Sequence, residues 1–158
     1  MPSTTAFVGG AFTPDQPINF TGAVDVANTT LTVSGTGSLG YATAKAGDAA
    51  TGGAVTQATN RTTGVTLSKL SGAITTNNAS LAAEAAAAFT VTNTLVAIGD
   101  VVVVSQRSGS NGGDTDVYVS AVAAGSFQIT VANNNAAAGT AETGAIIINY
   151  IVIKAVSA

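Results

Sequence analysis

The chain has 158 residues, a net charge of −3 and only 8% charged residues, beside 46% hydrophobic ones. It contains no His, Cys or Trp, which excludes Ser-His-Asp and Cys-His nucleophiles, His- or Cys-ligated metal centres and disulfides. An acidic balance without a basic stripe argues against a nucleic-acid partner. No apolar run reaches the roughly 20 residues of a membrane-spanning helix, and no basic segment leads into an apolar stretch as in a secretory signal. Neither a membrane nor a secretory route is expected, and the Met-Pro-Ser-Thr-Thr start reads as a cytoplasmic translation product.

In chain order, residues 1–53 form a distinct region. They hold all three prolines and nine of the eighteen glycines. Phe7, Phe12 and Phe20 stand spaced among Gly, Pro and Thr without a helical period or sustained alternation. This pattern predicts an extended arm that a partner would order, with one short strand at 29–34 and a flexible Ala/Gly/Thr linker at 42–53.

From residue 54 to 158 the period changes to two. The chain carries 18 Val and 9 Ile against 6 Leu, and an excess of β-branched side chains favours strands. Val65 and Leu67 share a face opposite Thr66 and Ser68. Phe89 and Val91 alternate with Thr90 and Thr92, Val117 and Val119 with Tyr118 and Ser120, and Phe127, Ile129 and Val131 with Gln128, Thr130 and Ala132. Each is the pattern of a half-buried antiparallel strand.

Two stretches, 101–104 and 146–153, are apolar on both faces, as expected of strands that are central or covered by another subunit. The predicted strands are 54–59, 65–69, 72–76, 87–93, 100–107, 115–123, 126–132 and 145–154, with a tight hairpin turning at Ala124-Gly125. Eight such strands predict an all-β fold, an antiparallel β-sandwich of the eight-stranded jelly-roll kind. The Ala-rich segment 81–88 has high helix propensity and a possible N-cap in Ser80. It leads at once into Phe89-Thr-Val-Thr, so it reads either as a helical turn or as a loop entering the strand.

Motifs that carry chemistry are few. Gly35-Thr-Gly37-Ser-Leu-Gly40 matches the dinucleotide fingerprint, but residues 41–53 hold three more glycines and no amphipathic helix to receive a pyrophosphate. Asn111-Gly-Gly-Asp114-Thr-Asp116 offers two carboxylates where calcium wants six to eight oxygens, and reads as a solvated hairpin loop. The sequons at Asn19, Asn28, Asn60 and Asn78 are what this Ser/Thr content yields by chance. Asp15, Asp25, Asp48, Asp100, Glu84 and Glu142 form no recognisable catalytic pair. No cofactor, metal or enzymatic activity is expected, and Glu84, Asp114 and Asp116 are the acids on which to test that.

The stretch Ala54-Val-Thr-Gln-Ala-Thr-Asn-Arg-Thr-Thr-Gly-Val-Thr-Leu-Ser-Lys-Leu-Ser-Gly-Ala-Ile-Thr-Thr76 continues into Asn77-Asn-Ala-Ser-Leu-Ala-Ala and Phe89-Thr-Val-Thr-Asn. With Asp100-Val-Val-Val-Val, Ala121-Val-Ala-Ala-Gly-Ser-Phe and Asn149-Tyr-Ile-Val-Ile-Lys154, it resembles a domain of small tailed-bacteriophage virion proteins of the head-decoration (cement) or fibre-like type. The resemblance covers residues 54–154. It implies a β-sandwich or jelly-roll homotrimer fixed to a capsid or tail, on the outer surface of the particle.

Two further observations agree with that expectation. Five Phe and three Tyr make a thin core that burial between subunits would supplement. The two-sided strand at 145–154 needs cover on one face. The expected partners are therefore further copies of the chain, through Ile147, Ile151 and Ile153, and a major capsid or other virion protein, through Phe7, Phe12 and Phe20. The alternative is a tail fibre or tail-tip component whose sandwich binds a host glycan.

Overall fold

The computed structural model describes residues 52–111 and 113–155. The arm and linker expected at 1–51, including the strand at 29–34, lie outside them. All eight strands predicted from residue 54 onward form: β1 (Ala54–Thr56), β2 (Val65–Thr66), β3 (Ser71–Thr75), β4 (Ala86–Thr92), β5 (Val101–Ser108), β6 (Thr115–Ala123), β7 (Ser126–Asn133) and β8 (Ile147–Ile153). The described residues contain no helix. The strands make two four-stranded sheets, ordered β1-β3-β8-β5 and β2-β4-β7-β6.

The expected purely antiparallel pairing is corrected. β1 pairs with β3, and β2 with β4, in parallel, whereas the remaining pairs are antiparallel. The reason is the route of the chain. β1, β2, β3 and β4 alternate between the two sheets, so each return to a sheet comes in the same direction as the previous visit and lies beside it. A jelly roll built from antiparallel Greek keys has no such coiled opening. Among the described strands the single hairpin within a sheet is β6–β7. It turns at Ala124-Gly125 as predicted, with Gly125 at φ +77°, a conformation that costs glycine nothing.

Alternation assigns the core. Along β4, Ala87, Phe89 and Val91 are buried while Ala88, Thr90 and Thr92 are exposed. In β7 their cross-strand partners are Val131, Ile129 and Phe127. From the other sheet, Ile74, Ile148, Tyr150, Val152 and Val102 complete one apolar cluster. The rings of Phe127 and Tyr150 meet at 5.2 Å and a 55° tilt, within the range of favourable aromatic pairs. The Tyr150 hydroxyl stands 3.1 Å from the carbonyls of Leu67 and Lys69, and burial pushes its pKa up to about 12.

Segment 81–88 resolves as a loop running into β4. Leu81 bridges Glu142 and buries its side chain in the core. Glu84 sits at φ 60°, a left-handed conformation that interrupts any helix.

Candidate functional site

The loops 57–64, 76–85, 109–111 and 134–146 gather at one end of the sandwich, where a buried polar clasp joins them. Gln57 donates from Nε2 to the carbonyls of Arg61 and Thr63 and accepts from the Asn77 amide at 3.0 Å. The buried Arg61 reaches across the loops with its guanidinium. It donates to the Ala79 carbonyl at 2.5 Å, the Gly144 carbonyl at 2.8 Å and the Glu142 carbonyl at 3.2 Å. Burial lowers its pKa from the usual arginine value, and the charge of Glu142 acts against that shift.

Glu142 is fully buried, and its carboxylate accepts from Ser110 Oγ at 2.6 Å and Thr115 Oγ1 at 2.8 Å. It also accepts from the backbone amides of Asn111 and Gly144, at 3.1 and 2.6 Å. A carboxylate so engaged is a structural acceptor holding loops together. No buried side-chain nitrogen or oxygen among the described residues lacks a partner. Gly109 and Gly144 make the clasp possible by close backbone approach. A Cβ on Gly109, at φ +97°, would fall 2.0 Å from the Ala145 carbonyl oxygen.

At the opposite end, Asp100 accepts from the amides of Ala97 and Ala155 and from Lys154 Nζ, the last at 2.5 Å. The Ala97 amide is the largest cause, followed by Lys154 and the Ala155 amide, and together they lower the Asp100 carboxyl to a pKa of about 2. The ion pair ties the turn before β5 to the end of β8.

The acids singled out in the sequence are not gathered. Glu84 is exposed on its turn, and Asp116 accepts from Asn134 Nδ2 at 2.7 Å. No group of three or more acids that could hold a metal occurs among the described residues. Asn111 belongs to the clasp: its Oδ1 accepts from the Thr143 and Gly144 amides at 2.9 Å each. A shallow hollow of about 260 Å³ beside Asn60, Ser80 and Ala86 borders Arg61, whose donors are committed to the clasp.

The feature that stands out lies on the outward face of the β1-β3-β8-β5 sheet. Val101 pairs with Ile153 and Val103 with Ile151, which puts four aliphatic side chains on one face beside the sheet edge. Val101, Val103 and Ile153 are 55, 46 and 49% exposed. Ile151 is half-buried because it is flanked on both sides, by Val103 and by Ser71 of β3. Ile98 and Leu95, 79 and 45% exposed, sit in the turn that the Asp100–Lys154 pair holds against this end.

Of the predicted interface residues, Ile151 and Ile153 thus belong to this patch. Ile147 shares their face but lies beyond the exposed Asn149, between Thr75 and Ser108. The sequence points to β8 but not to its partners Val101 and Val103, although the two-sided apolar run at 101–104 is their signal. Phe7, Phe12 and Phe20 lie outside the described residues. Comparison with family models, curated proteins and solved structures finds no match, so the reading of this face rests on the chain's own residues.

Proposed function

We propose that this chain is a structural protein of a bacteriophage particle: a decoration protein that binds the head surface as a homotrimer and stabilises it, without chemistry of its own. The observation that carries the proposal is the exposed aliphatic face formed by Val101, Val103, Ile151 and Ile153 at the edge of a β-sandwich. Apolar surface of this kind marks contact with another protein. The low charge of the chain suits a protein packed in many close copies, and the resemblance of residues 54–154 to virion proteins supplies the setting. In this reading residues 1–53 are the arm that carries Phe7, Phe12 and Phe20 to neighbouring capsid subunits, beside the β-sandwich.

The test is to add the purified chain to particles stripped of it and to image them. Threefold density on the head, with capsids that resist heat or chelator better than bare ones, is the expected result. Density confined to the tail would replace this reading with the fibre one. An absence of binding would overturn both.

A further inference from the structure

The homotrimer in the proposed function leaves open which surfaces meet, and the four sheet edges answer that differently. An exposed edge strand invites pairing unless it is short, bulged or charged. β1 has three residues and β2 two, too few to template a partner. These two lie over one another on one side of the sandwich, and the long strands β5 and β6 lie over one another on the other. β5 has eight residues and keeps regular register with β8 from Val101 to Gln106, a stretch without charge. β6 has nine and is regular from Thr115 to Val119, before the bulge at Ser120.

The same side also leaves the core incompletely covered. The inward-facing Val104, Val117 and Val119 are only partly buried, while Ile74, Ile129, Ile148 and Val152 are fully buried. On the outward faces of these two edges stand Val101 and Val103 of β5 and the 48%-exposed Tyr118 of β6.

We infer that the subunit interface of the trimer is the β5–β6 side, with the β5 edge of one copy adding to the β6 edge of the next. This rests on the homotrimeric reading above. The occupant is a second copy of the chain because a ring that closes head to tail needs two different, complementary edges on each subunit. Among the described strands, β5 and β6 are the only edges long enough. Their directions fit as well. β5 runs toward the clasp end and β6 away from it, and rotation about an axis along the strands preserves direction, so β5 meets an antiparallel β6 of its neighbour.

Each junction of such a ring would bring Val101, Val103 and Ile153 of one copy, exposed on the outward face beside the β5 edge, against Tyr118 on the outward face of the next copy's β6. The assembled ring would close the three half-open cores around its axis.

The 158 residues contain no cysteine, which makes cross-linking decisive. Val103 and Tyr118 face outward from opposite sheets, so a disulfide between them cannot form within one subunit. The double variant Val103→Cys/Tyr118→Cys should oxidise to a covalent trimer on a non-reducing gel, and the parallel variant Val101→Cys/Tyr118→Cys covers a two-residue shift of register. Each single variant should give no covalent species. Val103→Lys should reduce the mass seen by light scattering from three times 15.3 kDa to one, with an unchanged β circular dichroism spectrum.

A wild-type monomer would overturn the trimer itself. A wild-type trimer that neither double variant cross-links, and that survives Val103→Lys, would overturn the interface while leaving the trimer standing. Covalent dimers from Val103→Cys alone would show β5 pairing with β5, and would overturn the head-to-tail arrangement.

Discussion

Replacing Glu142 tests the clasp more directly than any other change. Its carboxylate accepts from two hydroxyls, of Ser110 and Thr115, and from two backbone amides, of Asn111 and Gly144. In Glu142→Ala the hydroxyls can turn to other acceptors and the Gly144 amide keeps Asn111 Oδ1 at 2.9 Å, which leaves the Asn111 amide without its acceptor. A donor left unmet costs about 1–3 kcal/mol and a lost bond to a charged group about 1.5–3 kcal/mol, so the change comes to about 4 kcal/mol. Single-domain stability is about 5–15 kcal/mol, so this change removes much of it. With roughly 4–8 °C of Tm per kcal/mol for a domain of this size, the midpoint should fall by about 15 °C or more.

Glu142→Gln keeps the shape and one carbonyl oxygen for the two amides. The Ser110 and Thr115 hydroxyls can reverse and accept from its NH2 group, so about 1–2 kcal/mol is expected. Urea and thermal unfolding of the three proteins, followed by circular dichroism, gives both numbers. If Glu142→Ala costs under 1 kcal/mol, the clasp is not what holds the loops. If Glu142→Gln costs as much as Glu142→Ala, the charge of Glu142 acting on Arg61 outweighs its hydrogen bonds, and the hydrogen-bond reasoning is wrong.

Other substitutions address single features. The folded Asp100 pKa of about 2 lies below its ordinary value of 3.8. Its contribution is therefore present above about pH 4 and lost as pH falls toward 2; wild type should be more stable than Asp100→Asn at pH 7, and denaturant midpoints should converge by pH 2. Gly109→Ala combines a left-handed φ with a Cβ 2.0 Å from a carbonyl oxygen; strain and overpacking should cost more than about 2 kcal/mol, and a midpoint unchanged in urea would contradict the backbone contact. Glu84→Gly places glycine at φ 60° on an exposed turn and should stabilise by up to about 1 kcal/mol, a gain that disappears if the turn relaxes in solution. Phe89→Ala should cost about 3–5 kcal/mol, read by the same unfolding curves.

The legibility of the fold in the sequence reflects the kind of information that period-two patterning encodes. Burial alternation is a local property, so it places β4, β6 and β7 within a residue or so, and the Ala124-Gly125 turn is read from its glycine. The partner of a strand is not local. The alternation at 54–59 and 65–69 cannot say that β1 and β2 lie parallel to β3 and β4. Both strands are also shorter than predicted, because side chains just beyond them turn to other tasks: Gln57 into the clasp and Leu67 toward the apolar core.

Segment 81–88 has helix propensity in its favour, a weak preference that tertiary contacts override. The Leu81–Glu142 bridge and the burial of Ala87 and Phe89 decide it. The candidate face is half legible. A run apolar on both faces announces an uncovered surface, but its cross-strand neighbours depend on register. Arg61 and Glu142 carry no signal at all, since 81 positions separate two ordinary polar residues whose surroundings exist only after folding.

The placement of these charges bears on how the molecule can assemble. Nine charged residues lie among the described ones, and Arg61, Glu142, Asp100 and Lys154 are committed to the clasp or to the ion pair across the opposite end. That leaves Lys69, Glu84, Arg107, Asp114 and Asp116, two positive and three negative. Over the described residues such a surface has little field with which to steer a partner. In the proposed trimer, association would then draw on apolar area and strand-edge hydrogen bonds of the β5–β6 side. Self-assembly of this chain should accordingly hold nearly constant between about 50 mM and 500 mM salt, because surface charge pairs are the interactions that screening weakens. A trimer that dissociates as salt is raised would place its contacts on the few exposed charges, and would shift attention from β5 to Arg107 and the acids beside β6.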